Sequence, residues 1–137
     1  MILRGLCIDY SKENITLNTF QDTDVDAWQA QVVNKAEKLG WISKHTKFRP
    51  NDTITRVEAL KMVMQAAGVP LINSKASSFR DVPVDGWMVR YTETGLFYGI
   101  VSGQLINGDR MFRPNDTIKR GESTKMIIKS IFPTPTV

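Results

Sequence analysis

The segment FRPNDTI occurs twice in this chain of 137 residues, at 48–54 and again at 112–118. Each copy is followed by an Arg-x-Glu motif, which contains Arg56 in the earlier copy and Arg120 in the later one. Seven identical consecutive residues with a matching tail indicate a tandem repeat. A repeat restricts the fold to structural units that bury their apolar faces against their neighbours.

Further landmarks extend the repeat toward the N-terminus. Four pairs of residues keep a constant offset of 59: Phe20 with Phe79, Asp22 with Asp81, Trp28 with Trp87, and Gly40 with Gly99. The offset rises to 64 at FRPNDTI, so the later repeat carries five additional residues, which lie in segment 104–111. Because Asn107-Gly108 is a tight-turn signal, we predict a turn within this insertion.

The matches divide the chain into four segments. Met1-Ile2-Leu3 is similar to Met62-Val63-Met64, so residues 1–19 are interpreted as the C-terminal part of a truncated first repeat plus a connector. A second repeat with its connector spans 20–78, and a third spans 79–132. The Pro/Thr tail, 133–137, is predicted to be an extended linker.

Apolar residues recur at helical spacing in both halves of each repeat. The first helix is predicted to carry Trp28 or Trp87 on its core face and to end at a glycine. Before the second helix, Thr55 and Glu58 form a capping box. Lys119 replaces this threonine in the later repeat, so that helix is expected to begin less firmly. The sequence therefore predicts an all-α chain of helix-loop-helix repeats.

Composition limits the classes of partner. The net charge of +4 and the pI near 9.3 favour an anionic partner weakly, and equally fit a solvated surface. No basic stripe with interleaved aromatics indicates nucleic-acid binding. No apolar run approaches the ~20 residues of a membrane span, and no signal peptide is recognisable. Cys7, the single cysteine, is interpreted as a buried structural thiol.

The sequence offers little material for catalysis, metals or cofactors. His45 is the only histidine and lies in a polar loop without cysteines or a second histidine near it. No phosphate-binding loop or nucleophile motif is present. We therefore expect neither an enzyme nor a metal or cofactor site.

The spaced landmarks resemble a known repeat. The order Phe-x-Asp, Trp, Gly-Ile-x-x-Gly, Phe-x-Pro-Asn and Ile-Thr-Arg-x-Glu, spread over residues 20–132, is similar to the S-layer homology repeat of bacterial surface proteins. The resemblance implies three repeats around a pseudo-threefold axis. It also implies grooves that bind secondary polymers linked to peptidoglycan, often with pyruvylated sugars. Such a module anchors a protein non-covalently at the cell surface, outside the cell.

The resemblance implies six ligand-binding positions, and the sequence adds a seventh. The six are Asp22, Arg56, Asp81, Gly99, Gly103 and Arg120. Arginine grips a carboxylate through two parallel hydrogen bonds, a short aspartate accepts sugar hydroxyls or fixes the arginine, and glycine lets a polymer approach the backbone. Trp41 stands where the later repeat has Ile100, and is a candidate for stacking on a sugar.

Alternatives stay open for these residues and for the function. The arginines equally fit anchors of helix starts, and the aspartates equally fit organisers of the preceding turn. Lys44 replaces the second glycine of the earlier repeat, which weakens that groove as a candidate. The competing function is a protein–protein assembly module, a homo-oligomer in which another chain completes the incomplete first repeat.

Overall fold

The computed structural model describes residues 20–23 and 28–135. Predictions for residues 1–19, including Cys7 and the truncated first repeat, lie outside them. The described residues form four α-helices and one short hairpin, so the predicted helical repeat fold is confirmed. They belong to two compact units, and the boundary lies between Thr53 and Ile54. The pseudo-threefold arrangement stays a prediction.

The earlier unit contains helix α1, Trp28–Lys38. The helix ends as predicted at Gly40, which has a φ of 73°. Its buried apolar residues are Ala30 and Val33, whereas the Trp28 side chain is 70% exposed. The prediction that Trp28 is a core residue is therefore wrong, because the helix buries the face with small residues.

The later unit is built on three helices: α2, Arg56–Ala67; α3, Met88–Phe97; and α4, Arg120–Ile131. Helix α2 packs against both α3 and α4. The core of the later unit consists of aliphatic and aromatic side chains from all three helices and their connecting loops: Val57, Leu60, Met64, Val69, Phe79, Val82, Val89, Ile100, Val101, Phe112 and Met126. The two phenylalanines of this core are landmarks of the later repeat.

The second helices of the two repeats begin differently. Thr55 and Glu58 form the predicted capping box: Thr55 Oγ1 accepts the Glu58 N–H, and Glu58 Oε2 accepts the Thr55 N–H at 2.9 Å. Lys119 has a similar extended backbone, and its N–H donates to Glu122 Oε2 at 3.2 Å. The ammonium group of Lys119 cannot accept a hydrogen bond, so only half of the box forms before α4.

Trp87 precedes α3 and is 45% exposed, so the prediction of a core residue is wrong here too. Its indole packs edge to face on Tyr91, with ring centroids 5.9 Å apart, and Lys61 Nζ lies 5.1 Å from the indole centroid. Instead of Trp87, α3 buries Val89, Thr92 and other small residues. Trp87 therefore lies at the surface, whereas Tyr91 is partly buried against the core.

The insertion of the later repeat forms a two-stranded hairpin. Strand β1, Gln104–Ile106, pairs antiparallel with β2, Asp109–Met111. Asn107 and Gly108 connect them with φ values of 53° and 87°, as a two-residue hairpin turn with positive φ at both positions requires. The predicted turn is confirmed. In the part of the chain that the structure describes, no helix has the length and apolarity to cross a membrane.

Candidate functional site

The aspartate of the Phe-x-Asp landmark holds the FRPNDTI loop of its own repeat. In the later repeat, Asp81 Oδ1 accepts the Phe112 N–H at 2.8 Å and Oδ2 accepts the Arg113 N–H at 2.7 Å. The rings of Phe79 and Phe112 pack beside these bonds, with centroids 5.5 Å apart. We call this arrangement the clasp: the Asp81 carboxylate and the Phe79 ring together hold the start of the loop at Phe112 and Arg113.

The earlier repeat contains the same clasp. Asp22 accepts the N–H groups of Phe48 and Arg49 at 2.8 and 2.7 Å, and the rings of Phe20 and Phe48 lie 5.6 Å apart. Partial burial raises the pKa of Asp22, but the hydrogen bonds from Phe48 and Arg49 and the charge of Lys47 outweigh it. The net pKa lies below the ordinary value, because these contacts favour the carboxylate.

The arginine of each loop has a left-handed backbone. Arg49 has a φ of 59° and Arg113 a φ of 62°, a region that is costly for residues with a Cβ. In both repeats the backbone N–H of this arginine donates to the clasp aspartate. Each side chain also pairs with the aspartate three residues later, Asp52 or Asp116. These contacts stabilise the strained conformation.

The later FRPNDTI loop caps the helix that follows the earlier loop. The first N–H groups of an α-helix have no acceptors inside the helix. In α2 the Arg56 N–H donates to the Asp116 carbonyl at 2.8 Å, and the Val57 N–H donates to the Pro114 carbonyl at 3.2 Å. Thr55 and Thr117 complete the junction with a β-bridge. The loop of one repeat therefore fixes the helix start of the other.

The Arg56 side chain reaches into the same junction. Its Nε donates to the Phe112 carbonyl at 3.1 Å, and its Nη1 donates to Glu122 Oε1 at 2.5 Å. The guanidinium carbon lies 5.3 Å from the centroid of the Phe112 ring, within the range of a cation–π contact. Only 15% of the side chain is exposed, so its orientation is fixed by the surrounding residues.

Glu122 balances the positive charge at this helix start. Its pKa lies below the ordinary value, foremost because it accepts the backbone N–H of Lys119. Partial burial opposes this effect, whereas the charge of Arg56 and its hydrogen bond add to it. Glu122 is thus a carboxylate that bridges the starts of α4 and α2.

These residues surround a pocket of about 170 Å³. Seven residues line it: Arg56, Gln104, Arg113, Asp116, Thr117, Lys119 and Glu122. Three of them are cations and two are carboxylates, so the lining carries an excess of positive charge. Arg113 Nη1 donates to Gln104 Oε1 at 3.2 Å, and Arg113 also pairs with Asp116. The Lys119 charge also acts on Glu122, whose pKa it helps to lower. The pocket is suited to an anionic group.

Of the seven predicted site residues, only Arg56 lines this pocket. Asp81 is outside the lining but accepts the backbone N–H of Arg113, which does line the pocket. The Gly99 carbonyl accepts a hydrogen bond from Lys129 Nζ at 2.6 Å. Arg120 is exposed and lies outside the lining. Two of the remaining three belong to the earlier unit: Asp22 holds its loop, and Trp41 is half-buried there.

Gly103 is required by the packing of the protein itself. Its φ is 72°, and a Cβ at this position would lie 2.6 Å from Phe79 Cε1 and 2.9 Å from the Met111 carbonyl oxygen. Phe79 is a core residue and Met111 belongs to β2, so neither can move aside easily. The groups that approach the Gly103 backbone closely in this structure are therefore the Phe79 ring and the Met111 carbonyl.

Six lining residues are not among the predicted site residues: Gln104, Arg113, Asp116, Thr117, Lys119 and Glu122. Both copies of FRPNDTI contain an arginine at the place of Arg113, and the repeat pattern alone predicts a loop residue there. For Lys119 the sequence predicts only a poor helix cap. Gln104 lies in the insertion, where the two repeats differ in length and the comparison between them ends.

The chain is similar in sequence to a known domain family and to curated proteins of bacteria. The family model of the S-layer homology domain matches residues 20–60 and 78–122. The chain is 28% identical over 115 residues to the surface-layer 125 kDa protein of Lysinibacillus sphaericus, a match covering 82% of the chain and 10% of that protein.

Two relatives come from Acetivibrio thermocellus. The exoglucanase XynX is 31% identical over 133 residues, covering 93% of the chain and 12% of that enzyme. The cellulosome-anchoring protein is 27% identical over 122 residues, covering 86% of the chain and 26% of that protein. The chain thus spans between a tenth and about a quarter of the length of these curated relatives.

Proposed function

The chain belongs to the S-layer homology domain family, and we propose that it anchors a larger protein at the bacterial cell surface by binding an anionic polysaccharide of the cell wall. The names of two relatives, a surface-layer protein and a cellulosome-anchoring protein, support this function. The match to the exoglucanase covers a small part of that enzyme. We therefore propose a shared attachment module without catalytic activity, located outside the cell.

The observation that carries the proposal is the fixed guanidinium of Arg56 at the pocket. A guanidinium has five N–H donors, and the Phe112 carbonyl and Glu122 accept from two of its nitrogens. Within the described residues Nη2 has no acceptor, so its N–H groups are available to a ligand carboxylate. With little solvent around it, this cation attracts an anion more strongly than an exposed one does.

The ligand that fits this chemistry is a sugar that carries a carboxylate, such as a pyruvylated sugar of a peptidoglycan-linked polymer. Lys119 adds an ammonium group to the lining of the pocket, and Arg113 adds a second guanidinium. Asp81 acts indirectly in this scheme, because it holds the loop that carries Arg113. Asp22 accepts the Arg49 N–H in the earlier repeat, and we propose that it holds that loop in shape.

Wall pulldown tests this function. Purified sacculi are compared with sacculi stripped of secondary polymers, using the unmodified chain, Arg56→Ala and Arg90→Ala. Arg90 is exposed on α3 and lies outside the pocket, so its variant matches the charge change. We expect at least a tenfold loss of binding for Arg56→Ala alone, and weaker binding at higher salt. Equal binding to stripped sacculi, or a folded Arg56→Ala that binds normally, would contradict the proposal.

A second candidate function, assembly between chains, is favoured by the contrast between Arg56 and Arg120. Carbonyl groups of the later FRPNDTI loop cap the N–H groups of Arg56 and Val57. The equivalent Arg120 and Gly121 are exposed, and no loop of the described residues caps them. An FRPNDTI loop of another chain offers the required acceptors.

Mass measurement in solution over a range of concentrations tests assembly. This candidate predicts a dimer or larger species that is weakened by Arg120→Ala and unaffected by Arg90→Ala. A monomer at all concentrations would rule it out, while leaving polymer binding through the Arg56 pocket unaffected.

A further inference from the structure

Gln104, the first residue of hairpin strand β1, lines the Arg56 pocket. We propose that Gln104 and Arg113 are specificity-determining residues there, and that together they recognise a sugar with a neutral acceptor oxygen beside its anionic group. This inference rests on the proposed polymer binding at Arg56. It adds a second recognition element that lies outside the Arg-x-Glu motif.

The backbone of Gln104 is held in place by contacts with β2 and with the core. Gln104 is the first residue of β1 and pairs with Met111 of β2. Gly103 directly before it fits closely against Phe79 and the Met111 carbonyl, and Phe79 is fully buried in the core. Because the strand start is fixed to the core, the side chain of Gln104 projects from a defined position, as a specific binding site requires.

The conformation of Arg113 points to a function. Glycine or asparagine would adopt a φ of 62° more easily than arginine does. Strained backbone at a pocket is a reason to look for a role of the side chain. The guanidinium of Arg113 lies between Gln104 and Asp116 and lines the pocket. Glycine or asparagine would form the same turn with less strain, but only arginine puts a cation into the pocket at this position.

The hydrogen bond between Gln104 and Arg113 determines what the pair presents to a ligand. Gln104 Oε1 accepts the Arg113 Nη1 hydrogen, so the remaining polar hydrogens of the amide belong to Nε2, which is a donor. The pair then offers donors to the pocket: an amide for a neutral oxygen and a guanidinium for an anion. A sugar hydroxyl, ring or acetamido oxygen next to a carboxylate matches this pattern.

The inference applies to the later repeat alone. Segment 104–111, which carries the five additional residues, forms the hairpin. The earlier repeat lacks those five residues. The earlier repeat does retain the left-handed arginine, Arg49, with its ion pair to Asp52. Arg49 therefore provides a matched control for the effect of a left-handed arginine in a repeat that has no equivalent of Gln104.

Two substitutions separate recognition from loop structure. Gln104→Glu keeps the size of the side chain, removes its donors and adds a negative charge; Gln65→Glu on α2, outside the pocket, is its charge-matched control. Arg113→Gly relieves the backbone strain and removes the guanidinium, with Arg49→Gly as its control. We expect Gln104→Glu and Arg113→Gly each to lose at least tenfold in affinity for polymer fragments released from the wall, measured by calorimetry. Arg113→Gly is expected to keep or raise its unfolding midpoint.

The outcomes distinguish this inference from the function on which it rests. Normal binding by both Gln104→Glu and Arg113→Gly, together with loss in Arg56→Ala, overturns the inference and leaves polymer binding at Arg56 in place. Affinity losses equal to those of Gln65→Glu and Arg49→Gly also overturn it. If the unmodified chain does not bind the fragments, or Arg56→Ala binds normally, both proposals fail.

Discussion

The side chains of Arg56 and Glu122 meet at 2.5 Å, although 66 residues separate them. Arg56 belongs to the Arg-x-Glu motif of the earlier repeat and Glu122 to that of the later one. The motif therefore acts across repeats: its arginine pairs with the glutamate of the next copy. Glu122 also accepts the Lys119 N–H, so one carboxylate connects the starts of α2 and α4.

This ion pair makes stability depend on pH. The pKa of Glu122 is lower in the folded protein than its ordinary value, so the folded state favours the carboxylate. The resulting stabilisation is complete above the ordinary glutamate pKa and is lost as the pH falls through the lowered one. We expect Glu122→Gln to flatten the fall of unfolding free energy on acidification in urea titrations. An unchanged acid slope in Glu122→Gln would argue against this role.

The clasp aspartate of the later repeat is expected to matter for stability. Asp81→Ala removes the acceptor of the Phe112 and Arg113 N–H groups and should lower the unfolding free energy by about 2 kcal/mol, since charged hydrogen bonds contribute this order of energy. Asp81→Asn retains one acceptor and should lose less. Asp85→Ala, at an exposed position, is the control and should change stability little. Denaturant midpoints measure all three, and equal values for Asp81→Ala and Asp85→Ala would refute the clasp.

The helices and the turn were predictable because their determinants are local. The Thr55–Glu58 capping box and the Asn107-Gly108 turn each depend on a few neighbouring residues, and both are present. The repeat itself also indicated that Phe48 and Phe112 occupy equivalent places. Local chemistry and internal comparison therefore sufficed for the outline of the fold.

The pocket was less predictable because its residues meet through tertiary contacts. Arg56 and Gln104 lie far apart in sequence, and Gln104 falls in a segment without an equivalent in the earlier repeat. The helix faces also differ from the prediction, which places Trp28 and Trp87 in the core because they fall on the apolar face at helical spacing. The helices instead bury small residues such as Ala30 and Val89, which suit close packing, and periodicity alone does not distinguish these faces.

Gly103 should tolerate a side chain less well than another left-handed glycine. In Gly103→Ala the new Cβ would clash with Phe79 and the Met111 carbonyl. Gly68 ends α2 with a φ of 65° and has no heavy atom within 4 Å of a built Cβ. Gly68→Ala should therefore cost only the conformational strain of about 1–2 kcal/mol, and Gly103→Ala should cost more. Thermal unfolding of both variants tests the difference, and equal losses would show that the contacts around Gly103 relax freely.

Lys119 is expected to favour binding at the expense of helix capping. Its backbone, with φ −79° and ψ 152°, is close to that of Thr55, with φ −78° and ψ 161°. Lys119→Thr should therefore complete the capping box with Glu122 and raise the unfolding free energy by about 1 kcal/mol. The same change removes a cation from the pocket, so binding to wall polymer should weaken severalfold.

The converse substitution is the matched control. Thr55→Lys breaks the complete capping box of α2 and should lower stability by about 1 kcal/mol, without removing a cation from the pocket. Urea denaturation and polymer binding are measured on both variants. A Lys119→Thr protein that is more stable and binds as tightly as the unmodified chain would show that Lys119 takes no part in binding. Lower stability in that variant would instead show that the ammonium group supports the fold through contacts other than a cap.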